Sequence, residues 1–185
     1  MEHHVKDAYL ALIREEVQLV AVTEDGYAIE YIEDPSEEIQ LAAVTHDGYV
    51  IQHIENPSEE VQFVAVTANG YAIENIEDPT EAVKLAAVNQ NGTAIQYLKG
   101  PSDKIKLAAV IEWGCAIKYI EDPNEELQLV AVTTDGFAIQ YIKDPSEKVQ
   151  LAAVAKNMRA IKYIKDPSDE VKKRVIQYLK EKRSH

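Results

Sequence analysis

The sequence is poor in cysteine and has no long apolar run. Cys115 is the single cysteine among 185 residues, so no intrachain disulfide can form, and we expect a reducing, cytoplasmic location. No apolar run approaches the roughly 20 residues that cross a bilayer, which argues against a membrane partner. The segment Met1–His4 lacks the basic start of a signal peptide, and no apolar stretch follows it.

Basic residues are also scarce. The chain has 19 lysines and arginines against 32 acidic residues, a net charge of −13 that argues against a general nucleic-acid binder. The charge is uneven, because residues 1–92 hold 19 acids and 3 bases (net −16) and residues 93–185 hold 13 acids and 16 bases (net +3). We therefore expect the first half to attract a protein partner with a basic surface. A merely solvated acidic surface and head-to-tail association into a homo-oligomer are the alternatives.

Glycine and proline are few, but their placement is periodic. There are seven of each, and six of the glycines and all of the prolines recur at a step of 22 residues. The prolines are Pro35, Pro57, Pro79, Pro101, Pro123, Pro145 and Pro167. An uninterrupted step of this length is typical of a repeat array in which each unit packs on its neighbours.

One unit reads DPSEEIQLAAVTHDGYVIQHIE, from Asp34 to Glu55. It predicts a first helix from about Pro35 to Thr45, with Asp34 as its N-cap and Glu37 completing a capping box. The glycine of the T-x-D-G segment would end this helix with a positive φ. A second, shorter helix is expected over Tyr49 to Glu55.

This pattern predicts an all-α fold, an α-solenoid of two-helix repeats forming a single domain over residues 1–185. Residues 1–23 would form an N-terminal capping helix, residues 24–167 the repeats, and residues 168–185 a C-terminal capping helix with a polar outer face. A β-hairpin array is the alternative, because Asp-Gly between apolar runs is also a hairpin signal. Proline after a capping residue and the repeated alanines favour helices.

The segment AAVNQNGTAIQYL (Ala86 to Leu98) resembles the AV-x-x-N-G-x-A-L-x-Y signature of an uncharacterised repeat domain. That domain is found in bacteria, phages, large DNA viruses and effectors of intracellular bacteria. The match recurs along most of the chain and departs from the signature at Ile111–Cys115 and Lys156–Arg159. The D-P-S-x-E-V segment is also similar to leucine-rich-variant and HEAT-type helical repeats. The resemblance implies an α-solenoid and brings no reaction and no cofactor with it.

Residues for catalysis or metal binding are not grouped in this sequence. His46 and His53 are seven residues apart with no third ligand nearby, and we expect solvated or stacking imidazoles. Cys115 has no histidine in its own or adjacent units, so we expect it to be a small packing residue. We therefore predict that the protein is not an enzyme and holds no metal or cofactor.

Aromatic residues recur in two columns that are four residues apart in each unit, and a lone tryptophan replaces an acidic or amide residue in one turn. Such residues make good contact points. In the alternative interpretation the columns stack between repeats, and Trp113 reflects local repacking. The candidate binding residues are Tyr27, Tyr31, Tyr49, Tyr71, Tyr97, Trp113, Tyr119, Phe137, Tyr141, Arg159 and Tyr163.

These features predict a non-catalytic protein-interaction module that docks a protein partner. By analogy with the resembling domain, one version is an inhibitor or effector that acts on a host or defence protein. A small-molecule binder that sequesters a nucleotide signal is an alternative, because aromatic rings stack on bases and the basic residues near Arg159 suit phosphate. A self-assembling scaffold is a further alternative.

Overall fold

The computed structural model of the chain describes residues 14–183. Over this range α-helices alternate with 3-10 helices and no strand occurs, so the all-α helical-repeat solenoid is confirmed and the hairpin alternative is wrong. The chain divides into two compact units, Met1–Gln90 and Asn91–His185, called unit 1 and unit 2 below. His3, His4, His185 and the first part of the predicted N-terminal capping helix lie outside the described residues.

Each unit repeats one α-helix and one 3-10 helix. Unit 1 contains a helix over residues 14–24 (α1), followed by η1 Gly26–Tyr31, α2 Glu37–His46, η2 Gly48–His53, α3 Glu59–Ala68, η3 Gly70–Asn75 and α4 Glu81–Gln90. Unit 2 contains η4 Gly92–Tyr97, α5 Asp103–Glu112, η5 Gly114–Tyr119, α6 Glu125–Thr134, η6 Gly136–Tyr141, α7 Glu147–Lys156, η7 Met158–Tyr163 and α8 Asp169–Arg183.

The helices of each unit form two layers. The α-helices of successive repeats pack side by side, as α2, α3 and α4 do, and the 3-10 helices form the second layer against them. The core between the layers consists of small and branched side chains such as Ile39, Ala43 and Val50, which are at most 1% exposed. The shorter second helix predicted over Tyr49 to Glu55 is the 3-10 helix η2 of the second layer. With three residues per turn, its six residues complete two turns.

The predicted N-cap was wrong. Asp34 has φ 49°, the N-cap is Ser36 two residues later, and the helix begins at Glu37. Asp34 is in the left-handed region, which Asp, Asn and Gly tolerate best, because their short side chains meet little steric resistance there. The members of this column with positive φ are Asp34, Asn56, Asp78, Gly100, Asp122 and Asp144.

The true N-caps link successive repeats. The Ser58 hydroxyl accepts from the Val61 N–H at 3.3 Å and donates to the carboxylate of Glu37, the first residue of the preceding α-helix. Thr80 makes the equivalent hydrogen bond one repeat later and donates to the Glu59 carboxylate at 2.8 Å. Each acid thus lies at a helix N-terminus, where its charge is favoured, and also holds the next repeat.

The repeated glycines act by close approach and not through a positive φ. Gly26, Gly48 and Gly136 have ordinary backbone angles, which corrects the prediction, and each begins a 3-10 helix. A Cβ on Gly136 would lie 2.7 Å from the carbonyl oxygen of Ala153 in the following α-helix. Glycine is therefore needed where the two layers meet most closely.

The last helix is only partly a polar cap. α8 buries Val171 and exposes Lys173 and Arg174 as expected, but Ile176 and Leu179 are 52% and 53% exposed. Lys173 occupies a column that holds leucine or phenylalanine in the preceding repeats. That column lies at the rim of the α-helical layer, since Phe63 in it is 46% exposed. Within residues 14–183 no helix is both long enough and apolar enough to span a membrane.

Candidate interaction surface

The 3-10 layer presents one fully exposed column of polar side chains in each unit. In unit 1 this column consists of Glu30, Gln52 and Glu74, which we call the acidic ridge. In unit 2 the equivalent positions of η5, η6 and η7 are Lys118, Gln140 and Lys162, which we call the basic ridge. The same backbone positions therefore carry opposite charges in the two units.

Side-chain caps at the start of every 3-10 helix except η5 fix the orientation of the ridge backbone. The Asp25 carboxylate accepts from the Tyr27 N–H at 3.0 Å, and the equivalent Asp135 accepts from Phe137 at 2.9 Å. The helix then ends after two turns, where the Ile32 N–H donates to Ile29 at 3.0 Å. Because six residues are pinned at both ends, the ridge side chains project from a defined backbone.

A second exposed column lies beside each ridge, three residues later in every repeat. It contains Glu33, Glu55 and Glu77 in unit 1 and Lys99, Glu121, Lys143 and Lys165 in unit 2. Shallow grooves open along these columns at equivalent places. In unit 1 the charged and aromatic lining residues are Glu30, Glu33, Asp34, His53 and Glu55, and in unit 2 they are Lys143, Asp144, Tyr163, Lys165 and Asp166. The groove is strongly acidic in unit 1 and balanced in unit 2.

The predicted aromatic columns flank the ridges, but residues four apart, which would share one face of an α-helix, do not do so in a 3-10 helix. Residues four apart point in different directions on a 3-10 helix, which has three residues per turn. They meet instead between repeats, where the Tyr27 ring lies edge-on at 5.8 Å from His53 and Phe137 lies 5.7 Å from Tyr163. The inter-repeat stacking alternative is therefore part of the answer.

Many of the candidate aromatic residues are also accessible. Tyr31 is 84% exposed and is the most open aromatic side chain of this surface. Tyr27, Tyr97, Tyr141 and Tyr163 are between 38% and 43% exposed, and Arg159 is exposed. The half-buried members are Tyr49, Tyr71, Trp113, Tyr119 and Phe137. The columns thus serve packing with one part of each ring and leave the other part in solvent.

Three of the candidate rings surround a lysine that sequence reasoning missed. The Lys118 Nζ lies 5.2 Å from the Trp113 ring, 4.5 Å from Tyr119 and 5.9 Å from Tyr141. Hydrogen bonding to Tyr119 raises the pKa of Lys118, which stays charged at neutral pH. Ring faces attract an ammonium group, so this cation is held in place. The available signal was a lysine in a column otherwise acidic or amide up to that repeat.

Trp113 occupies a position that elsewhere caps the 3-10 helix. The equivalent residues Asn91 and Asp135 accept from the N–H two residues later, whereas Trp113 makes no side-chain cap bond to η5. A lost cap costs about 1 kcal/mol. The fifth repeat therefore gives up a local hydrogen bond for an aromatic surface beside Lys118.

The cysteine and the two described histidines each contact a neighbouring residue in the next or preceding repeat. Cys115 is 6% exposed, and its thiol donates to Asp135 at 3.3 Å. Burial, with that hydrogen bond, raises the pKa of Cys115 to about 12, so the thiol is protonated at neutral pH. His46 accepts from the Gly26 N–H at 3.4 Å, and His53 contacts Tyr27. Between residues 14 and 183 no group of side chains has the arrangement of a metal site.

Comparisons with protein-family models, with curated proteins and with solved structures find no match. Functional inference for this chain therefore depends on the chemistry of its own surface. That surface combines exposed charge, exposed tyrosine and one tryptophan–lysine cluster on a rigid repeating backbone, a combination suited to binding.

Proposed function

We propose that the chain is a non-catalytic protein-interaction module and that the 3-10 layer is its docking face. The observation that carries this proposal is the acidic surface of unit 1. There the ridge and the neighbouring column expose five carboxylates, and Tyr31, which lies between Glu30 and Glu33 in the sequence, is 84% exposed. A partner with a basic surface would find charge to steer it and an aromatic ring to bury.

The carboxylates of this face are available to a partner. Within residues 14–183 no ion pair joins Glu30, Glu33, Glu55 or Glu77 to a basic residue, and the four side chains are exposed. The ion pairs Lys106–Asp103, Lys172–Asp169 and Lys173–Glu170 lie on α-helices instead. Unpaired like charges on one face repel each other, and a basic partner would relieve that repulsion.

The cluster of Trp113 with Lys118, Tyr119 and Tyr141 is the second contact point of the proposal. Tryptophan and tyrosine are enriched in binding hot spots when a partner covers them, and Lys118 adds a positive charge to this cluster. The resemblance of the repeat unit to a domain of phages and intracellular pathogens extends the proposal to an inhibitor or effector of a host or defence protein.

The proposal is tested by immobilising the purified chain and quantifying the proteins it retains. We expect retained proteins with basic surfaces to be lost from the variant Glu30→Lys/Glu74→Lys and kept by Glu38→Lys/Glu60→Lys. The control pair has the same charge change on exposed positions of α2 and α3. Retention of the same proteins by all three chains, or a wild type that neither retains proteins nor associates with itself, would refute the proposal.

The groove of unit 2 supports a second candidate function, the binding of a nucleotide-like ligand. Tyr163 lines this groove with Lys143 and Lys165, so a base could stack on the ring and phosphate could meet two lysines, which lie beside Asp144 and Asp166. A ligand that binds the folded chain would add roughly 2.7 kcal/mol to the free energy of unfolding when its concentration is about 100 times its Kd. An unchanged melting temperature across a panel of nucleotides would exclude this candidate.

A further inference from the structure

The ridge positions form a sequence of charges that is its own complement. From η1 to η7 the residues are Glu30, Gln52, Glu74, Gln96, Lys118, Gln140 and Lys162, and all seven are exposed. Read from the other end with the signs exchanged, the order is the same. Each copy of the chain therefore carries both an acidic ridge and the basic ridge that would match it.

On the α-helical face, the second position is mixed, with Glu38 and Glu60 in unit 1 and Lys104, Glu126, Lys148 and Glu170 in unit 2, whereas the first position does not change sign. The first position of the α-helices is acidic in every repeat of both units: Glu37, Glu59, Glu81, Asp103, Glu125, Glu147 and Asp169. A charge needed by the helix dipole or by the hydrogen bond to the next repeat keeps its sign, as this column does. The ridge residues cap no helix, and no fold requirement sets their sign.

The two ridges also match in spacing. In each unit the charged ridge residues are two repeats apart with a glutamine between them. Packed helix layers are about 8–10 Å apart, so both pairs of charges are separated by roughly 16–20 Å. The column beside the ridges adds further pairs of opposite charge at the repeat spacing, with Glu33, Glu55 and Glu77 in unit 1 and Lys143 and Lys165 in unit 2. Two surfaces built on one repeat share a pitch, so several charges can pair at once.

The basic ridge is organised before any partner arrives. Lys118 lies over three rings, and Lys162 lies 4.7 Å from the Tyr163 ring. Holding a lysine in one place lowers the conformational entropy lost on binding. On the acidic side Glu74 is 3.4 Å from the Tyr49 hydroxyl, and Tyr31 offers apolar area.

We propose that the basic ridge of one copy docks on the acidic ridge of a second copy, so that the chain pairs with itself. The inference rests on the proposed docking face and names a second copy as the partner with a basic surface. Because both ridges are present on every chain, each copy can act both as the acidic and as the basic partner. The charge pairs set the register, and the exposed tyrosines provide the buried area.

Charge exchange tests this pairing in solution. Sedimentation velocity of the wild type is expected to show association at about 0.1 M salt and its loss at about 1 M, where the Debye length falls from about 10 Å to about 3 Å. Glu30→Lys/Glu74→Lys and Lys118→Glu/Lys162→Glu should each associate more than tenfold more weakly, because like charges then oppose each other. Mixing the two variants should restore association, since every ridge then meets its opposite sign in the mixed pair.

Matched controls separate the ridges from net charge. Glu38→Lys/Glu60→Lys and Lys104→Glu/Lys148→Glu reproduce the charge changes on exposed α-helical positions, and the second control also keeps the two-repeat spacing. Both controls should associate like the wild type. A wild type that is monomeric at low salt, controls that lose association equally, or a mixture that stays monomeric would each overturn the inference.

The result also separates this inference from the proposed function. If the wild type is monomeric but still retains basic proteins that Glu30→Lys/Glu74→Lys loses, self-pairing is wrong and the docking face stands. If the chain neither associates nor retains proteins, both proposals fall.

Discussion

Gly136 tests the claim that the repeated glycines allow close approach of the two layers. Alanine at this position would place its Cβ 2.7 Å from the Ala153 carbonyl oxygen, 3.0 Å from the Asn157 Cβ and 3.1 Å from the Asn157 nitrogen. Two of these three neighbours are backbone atoms, so no side-chain rotation can relieve the contact. η6 and α7 would have to separate.

The size of the effect follows from two opposing terms. Overpacking of this kind costs about 1–3 kcal/mol. Replacing glycine by alanine also restricts the unfolded chain, which raises the free energy of unfolding by about 0.4–1 kcal/mol. We therefore expect Gly136→Ala to lower the free energy of unfolding by about 1–2 kcal/mol, measured as a lower midpoint in urea.

Gly100 provides the matched control, because it has φ 58° and no atom within 4 Å of an added Cβ. Substitution of Gly100 is limited by its positive φ and not by space. Asn56, in the same column, has φ 47°. At position 100, asparagine should therefore be tolerated better than alanine, whereas at position 136 the larger asparagine should be worse than alanine. The same rank order of alanine and asparagine at both positions would refute the reasoning.

Three further predictions concern single side chains. Ser58→Ala removes both the cap of α3 and the hydrogen bond to the preceding helix, and urea unfolding should show a loss of about 1 kcal/mol. Cys115 should react slowly with a thiol reagent at pH 8, and Asp135→Asn should speed the reaction because the carboxylate raises the pKa of the thiol. Trp113→Asn should change the melting temperature by no more than about 4 °C, because a cap worth about 1 kcal/mol replaces a cation–π contact worth about 0.5–1. The same variant should weaken the association seen by sedimentation velocity, since Lys118 loses a ring.

The helical repeat could be predicted from the 22-residue step, but the local geometry could not. Asp34 and Ser36 are both capping residues, and Pro35 suits either position. A sequence pattern cannot choose between them, since the choice is made by the φ of 49° that the chain needs to turn between layers. The 3-10 form of the second helix was also not predicted, because its six residues satisfy both periodicities.

The candidate surface was predicted in part for similar reasons. The aromatic columns and Trp113 stand out as residue types and were found. Lys118 did not stand out, because a single lysine on a surface is common and its contacts with three rings depend on neighbouring repeats. The ridges could not be predicted from the net charge of each half of the chain, because many positions contribute to that charge and only the exposed column of the 3-10 helices forms the ridges.

Repetition separates architecture from surface chemistry within one chain. Every repeat must satisfy the same packing, so a position with a packing role keeps its residue type, as the buried Ala43 column and the acidic first position of the α-helices do. A column that is exposed throughout is released from that requirement, and random drift would mix its charges. The ridge column instead holds acids in unit 1 and lysines in unit 2, with glutamine between them. An ordered reversal at positions that the fold leaves free is most simply explained by what the surface meets.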